Sequence, residues 1–255
     1  MLDWQNLTLF LYITARISGC VLFNPFFGRQ TIPGTVKGGF VLVLSVLTHS
    51  MTTQTVAIPT VLLELAVRLL LEVLLGVVLG MVIHFFFYIP QMAGFILDTQ
   101  MGMTMNQIYD AGSQSNLSVT GTLLNALMIL LFFAANGHHT LLRIFMTSGT
   151  IVPYGMVAIG TEVASAMLEL FVECTVLSIK LCMPILGAEL LGQLGMGILM
   201  KVIPQINVFA INIELKVIIG LGLLLVFITP FSEFLLQVES DMLNSIGEIH
   251  LLLGR

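Results

Sequence analysis

Apolar residues run in long stretches from Leu7 to Leu253, separated by short polar breaks, and this pattern predicts a chain of membrane-sized helices. The stretches cover about Leu7 to Phe27, Val36 to His49, Ala57 to Ile89, Val119 to Ala135, Leu141 to Ile159, Val163 to Leu199 and Val208 to Phe227. A more amphipathic run, Phe231 to Leu253, follows. About 20 residues cross a ~30 Å hydrocarbon core as a helix, so several stretches fit one crossing each. Ala57 to Ile89, about 50 Å long as one helix, and Val163 to Leu199 are too long for tilt alone and are expected to bend, break or project from the bilayer. Pro184 lies inside the second, where its missing N–H and its ring oppose a regular helix, so a kink or a helical hairpin is expected there.

The breaks carry turn chemistry: Asn24-Pro25, Gly28 to Gly34 with Pro33, Asn106 to Thr122 with Gly112, and Asn136-Gly137. Asn106 to Thr122 is the longest, and unstructured loops of that length tend to be functional or disordered. Arg29, Lys37 and Arg143 are too few to fix membrane orientation. Ile-Pro-Gln occurs at Ile89 and at Ile203, which fits either a duplication or chance. The first segment lacks a basic leader and a small-residue cleavage site and is expected to stay in the mature protein.

Composition supports the membrane reading. Of 255 residues, 57% are hydrophobic and 9% charged, against roughly 25% charged in soluble domains. The net charge of −5 comes with no basic cluster, which argues against nucleic acid as a partner. Cys20, Cys174 and Cys182 sit inside apolar runs and read as packing residues rather than disulfide or metal ligands.

The charges that do occur are placed in apolar helices, where each costs roughly 2.5 to 3.5 kcal/mol at bilayer depth unless it meets protein or water. Glu64, Arg68 and Glu72 are four apart, so the arginine can pair with both carboxylates along one helix face. Glu162, Glu169, Glu173 and Lys180 fall within about 20° of one helix line. The ladder implies a partner surface and reads as self-satisfied pairing that aids assembly, with a proton or peptide path as the functional alternative, and the second set reads as contact with another subunit, with water or with headgroups. No zinc-hydrolase, nucleophile-elbow, phosphate-loop or Cys-x-x-Cys motif is present, so no enzyme, cofactor or metal is expected. His138 and His139 would diverge by about 100° on a helix and read as an interfacial loop pair. Met92, Met101, Met103, Met105 and Tyr109 flank the long polar loop. Such unbranched thioethers suit either core packing or a deformable gasket.

At Met92 to Leu142 the sequence resembles a known family. Met92-Ala-Gly-Phe-Ile-Leu-Asp-Thr-Gln-Met-Gly102, Asp110 and Leu131-Phe-Phe-Ala-Ala-Asn-Gly-His-His-Thr-Leu141 are similar to the FliR family of type III secretion export-gate proteins. Further matches are Arg16 to Gly19, Asn24 to Gly28 with Pro25, Ile32-Pro33, then Pro204-Gln205-Ile-Asn207-Val-Phe209, Lys216 and Gly220, so the likeness spans about Arg16 to Pro230. Two positions where the family often has proline hold Ala111 and Glu214-Leu215.

The resemblance implies an all-α membrane protein of long kinked helices and hairpins: a FliP-like part over 1–160, with a plug loop at 106–122, fused to a FliQ-like part over 161–255 that ends in an amphipathic helix. It implies a multi-pass subunit in the bacterial inner membrane, at the flagellar basal body, exporting unfolded rod, hook and filament proteins. Its partners would be several FliP-like and FliQ-like copies, FlhB, the export substrates and membrane lipid. Gln100, Met101, Gly102, Met103, Met105, Asn106, Gln107, Tyr109, Asp110 and Gly112 would form the plug. Asn136, Gly137 and His138 lean toward the flagellar branch. The rival reading is a secondary transporter of a small solute or ion using the buried Glu, Arg and Lys residues; an intramembrane protease is a more distant one.

Overall fold

The computed structural model describes residues 4–28, 32–59, 61–103, 118–157, 160–202 and 208–254. Among the described residues the chain is all helical: α1 Trp4–Leu22, α2 Gly34–Met51, α3 Leu62–Met101, α4 Val119–Ala134, α5 Gly137–Ile151, α6 Thr161–Val202, α7 Val208–Val226 and α8 Ile228–Leu252. Three of these are long and apolar enough to cross a membrane, or up to five spans if two bent pairs, α4 with α5 and α7 with α8, count as one each.

The two over-long runs were expected to bend, break or project, and the break is absent from both. α3 continues through Pro90 to Met101 as 40 residues, and α6 passes through Pro184 as 42 residues with no hairpin there. A proline deletes one backbone bond, and a helix this long retains its bonds on both sides of the gap. The apolar run after Leu141 ends earlier than its composition suggests: α5 stops at Ile151, and Pro153 and Gly155, the latter at φ +80°, turn the chain. At the α4 to α5 break, Asn136 adopts the left-handed conformation at φ +60°, which Asn tolerates better than most residues.

The helices belong to two compact units. The first takes 1–86, 136–171 and 239–255; the second takes 87–135 and 172–238. In the first, α1 buries Leu9, Tyr12, Ile13, Ile17 and Val21 at three- and four-residue spacing, the signature of one helix face. They pack with Val41 and Leu44 of α2, with Val56 and with Tyr154. α1 and α3 cross at glycines: a Cβ on Gly76 would stand 2.1 Å from the Arg16 carbonyl oxygen, and one on Gly19 would stand 2.3 Å from that of Val73. Gly76 and Gly80 repeat at the small-xxx-small spacing that lets membrane helices approach closely.

In the second unit α3 meets α4 the same way, through Gly94 and Gly121, while Phe87 and Phe132 pack edge to face at 5.7 Å. Leu190, Leu191, Leu194 and Ile198 of α6, and Ile218, Leu225 and Val226 of α7, remain exposed. Such a surface needs lipid or other subunits to cover it.

Candidate functional site

The residues expected to lead into the plug sit at the end of α3. Gly102, at φ +81°, donates its N–H to the Thr99 carbonyl at 3.2 Å, and Met103 donates to the Asp98 carbonyl at 2.9 Å. This is a Schellman stop, in which a left-handed glycine lets the chain satisfy the last carbonyls of the helix. Gln100 is half-buried, Met101 fully buried and Met103 half-buried. Met105, Asn106, Gln107, Tyr109, Asp110 and Gly112 lie outside the described residues.

The chain is described again at Ser118, which caps α4 by accepting the Gly121 N–H at 2.8 Å. The same hydroxyl donates to the Asp98 carboxylate at 2.7 Å, and the Thr120 N–H approaches both Asp98 oxygens at 3.3 Å. One buried carboxylate therefore joins the last turn of α3 to the first turn of α4. Beneath it the two helices touch backbone to backbone, since a Cβ on Gly94 would stand 2.1 Å from the Gly121 nitrogen.

Met101 is also held from α7 and α6. A Cβ on Gly220 would stand 2.6 Å from both the Met101 methyl and the Glu189 Oε1. Glu189 is 2% exposed, and neither of its carboxylate oxygens has a hydrogen-bond partner among the described residues. Lys216 and Gln193 line the same small pocket. Because the atoms facing Gly220 are the free ends of flexible side chains, Gly220→Ala is expected to cost about 1 kcal/mol or less. The check is the yield of the assembled protein, which should stay near wild type.

The first unit holds a second polar centre. Arg16 is 1% exposed and donates through Nε to Glu72 at 2.7 Å, and through Nη1 to Ser148 Oγ at 3.2 Å and the Val152 carbonyl at 2.9 Å. Its guanidinium lies 4.3 Å from the Tyr154 ring centroid. Glu72 uses its other oxygen to accept the Gly155 N–H at 2.7 Å. Burial pushes the Tyr154 phenol above its ordinary range, the neighbouring Arg16 charge opposing that shift only in part. Gly149 leaves the space the Tyr154 ring occupies, for a Cβ there would stand 2.3 Å from Tyr154 Cε2.

The family model described as bacterial export proteins, family 1, matches residues 7–242. The chain belongs to this family. Its members are non-enzymatic membrane components of the export apparatus. Among curated relatives, the flagellar biosynthetic protein FliR of Bacillus subtilis is 26% identical over 213 residues, 82% of this chain and 81% of that protein. FliR of Buchnera aphidicola is 27% identical over 128 residues, half of each chain. The secretion system apparatus protein SsaT of Salmonella typhimurium is 29% identical over 138 residues, 52% of each.

Within this export-protein fold the other expected residues are found as follows. The Glu64, Arg68, Glu72 ladder is split. Arg68 pairs with Glu64 at 2.6 Å, both partly exposed, whereas Glu72 is buried and pairs with Arg16. Helical spacing shows which residues share a face but not which neighbouring helix supplies a competing cation. Glu162, Glu169, Glu173 and Lys180 are all exposed on α6, as one polar face requires.

His138 and His139 lie in α5 rather than in a loop, and their rings approach to 4.0 Å instead of diverging. The first turn of a helix has no preceding turn to restrict its rotamers. Pro25 is half-buried beside Asn24, whose Oδ1 accepts the Phe26 N–H at 2.8 Å. Gly28 packs so closely that a Cβ would stand 2.4 Å from the Leu22 carbonyl oxygen. Pro33 opens α2, its carbonyl accepting from Val36 and Lys37. Asn136 is exposed, Gly137 buried and Lys216 half-buried, while Pro204, Gln205 and Asn207 lie outside the described residues. Asp98, Gly94 and Glu189 were not among the expected site residues, whereas Ser118 fell inside the loop expected over 106–122, whose stretch from Val119 to Thr122 instead forms the first turn of α4.

Proposed function

We propose that this chain is the FliR-type subunit of a flagellar type III export gate, helping to form the channel through which unfolded rod, hook and filament proteins cross the bacterial inner membrane. The observation that supports the flagellar reading is the extent of likeness: relatives that match over about four fifths of both chains, such as FliR of Bacillus subtilis, are flagellar, while matches over about half include both flagellar FliR of Buchnera aphidicola and virulence-type SsaT. One copy joins several FliP-like and FliQ-like subunits and contacts FlhB. The exposed apolar faces of α6 and α7 and the exposed Glu162, Glu169, Glu173 and Lys180 supply contact surfaces for these partners and for lipid. Residues 1–160 play the FliP-like part and 161–255 the FliQ-like part.

The segment between Met103 and Ser118, flanked by Met101 and Met103, is the plug of the resting channel. A polar segment at membrane depth is tolerated only where protein or a wet cavity surrounds it. Closed and open forms must lie within a few kcal/mol of each other for an entering chain to switch them.

Two experiments test this. Deleting the gene should abolish hook and filament export and leave any virulence-type secretion intact; the reverse pattern would overturn the flagellar assignment. Replacing Asn106 to Asn116 by a short Gly-Ser bridge, which spares Ser118, should leave co-purification with the gate partners unchanged and make resting cells leaky to ions. Unchanged conductance would remove the plug assignment.

A further inference from the structure

We propose that Asp98 and Ser118 are positioning residues of the gate, their hydrogen bond fixing where the chain leaves α3 and where it enters α4. The inference deepens the gate reading above and rests on it.

Asp98 stands in the last turn of α3, where the partial negative charge of the helix end disfavours a carboxylate. It is 1% exposed. The carboxylate is stabilised instead by the neighbouring helix: the Ser118 hydroxyl at 2.7 Å and the Thr120 N–H at 3.3 Å present it to the first turn of α4, where partial positive charge gathers. Capping α4 requires of Ser118 only an acceptor oxygen, and that oxygen already takes the Gly121 N–H at 2.8 Å. The hydroxyl proton is a second, separate resource, and it is given to Asp98. The bond is thus charge-assisted, among the stronger kinds, and it lies directly above the Gly94 to Gly121 contact, where no side chain intervenes between the helices. Glycine contact sets how near the helices come, and the bond sets how their ends are aligned.

Capping and clasping can be separated by substitution in the assembled complex. Ser118→Thr keeps acceptor and donor and should behave as wild type. Ser118→Asp keeps a good capping acceptor but has no proton to give and places like charge against Asp98. It is expected to assemble, to raise resting ion leak on the order of tenfold, and to speed backbone hydrogen exchange at Thr120, whose N–H faces Asp98, by a similar factor while Gly121, still capped, exchanges as in wild type. Adding Asp98→Asn to Ser118→Asp reverses the bond, because the amide now donates to the carboxylate, and should restore both readouts.

If Ser118→Asp seals and exchanges like wild type, capping is the whole role of Ser118 and the inference falls. If it fails to assemble, recovery in the double variant supports the clasp and continued failure overturns it. A leaky Asn106 to Asn116 replacement beside a tight Ser118→Asp variant would reject the clasp and keep the gate. A tight replacement would reject the plug, and the exchange rates would still decide whether the pair aligns the helix ends.

Discussion

Arg16→Met is expected to destabilise the folded chain by about 3 to 5 kcal/mol, among the largest effects of any single substitution in the first unit. The guanidinium is buried and its nearest partner, Glu72, is 0% exposed, so removing the cation strands a carboxylate where water cannot reach it. An uncompensated buried charge carries a cost of that order, whereas deleting both members of a pair is far less damaging. Glu72→Gln alone should therefore also be severe. The double variant Arg16→Met with Glu72→Met should be milder than the sum of the two single changes. Recovery should stay incomplete, because Ser148, the Val152 carbonyl and the Gly155 N–H would also lose partners. Arg68→Met is the internal control: its pair with Glu64 is partly exposed and four residues apart on one helix, and such pairs contribute about 0.3 to 0.5 kcal/mol. Denaturation midpoints and steady-state levels of the purified assembly would check the ranking. Equal loss from Arg68→Met and Arg16→Met would show that the buried centre is not what holds α1 to α3.

That ranking reverses what spacing suggests, and the reversal marks where the sequence stops being informative. A four-residue ladder made Arg68 the hub, because local periodicity is all that a chain displays before it folds. The competing partner comes from 56 residues away and is visible only once Gly19 and Gly76 have brought α1 against α3. Helical class, the number of apolar segments and the turns at Asn24 and Asn136 were legible, since each depends on residues close in sequence. Of the two outcomes expected at Pro184, the hairpin was overread: a proline states a local penalty, and whether a helix breaks there depends on the packing that opposes it. At the loop base the stop signal Gln-Met-Gly was readable as a glycine after an apolar helix, and Ser118 as a polar residue before the next one. Asp98 was not identified, because nothing local distinguishes a carboxylate that caps its neighbour from one that faces solvent. Glu189 was passed over for the same reason, as a lone acid in an apolar run.

The second large effect is expected at Gly94, and here the outcome depends on what a new methyl would meet. Gly94→Ala would place a carbon 2.1 Å from the Gly121 nitrogen and 2.2 Å from its Cα. Both are backbone atoms of α4, which cannot turn aside as a side chain can, so α3 and α4 would have to separate. Separation would open the Phe87 to Phe132 packing and stretch the Asp98 to Ser118 bond, both of which span these helices. Overpacking of a tight contact costs about 1 to 3 kcal/mol even where relief is available, and the upper end, about 3 kcal/mol, is expected here. Gly38→Ala, Gly39→Ala and Gly247→Ala, on α2 and α8, whose added carbons meet nothing within 4 Å, should be neutral or slightly favourable, since alanine is the better helix former by up to about 1 kcal/mol. Gly220→Ala should fall between, because Met101 and Glu189 can yield. The test is the amount of each variant recovered in the membrane assembly. If Gly94→Ala accumulates like Gly247→Ala, α3 and α4 do not meet at these glycines. A low yield of Gly94→Ala beside normal yields of the open-space controls would tie the loss to backbone contact rather than to glycine content.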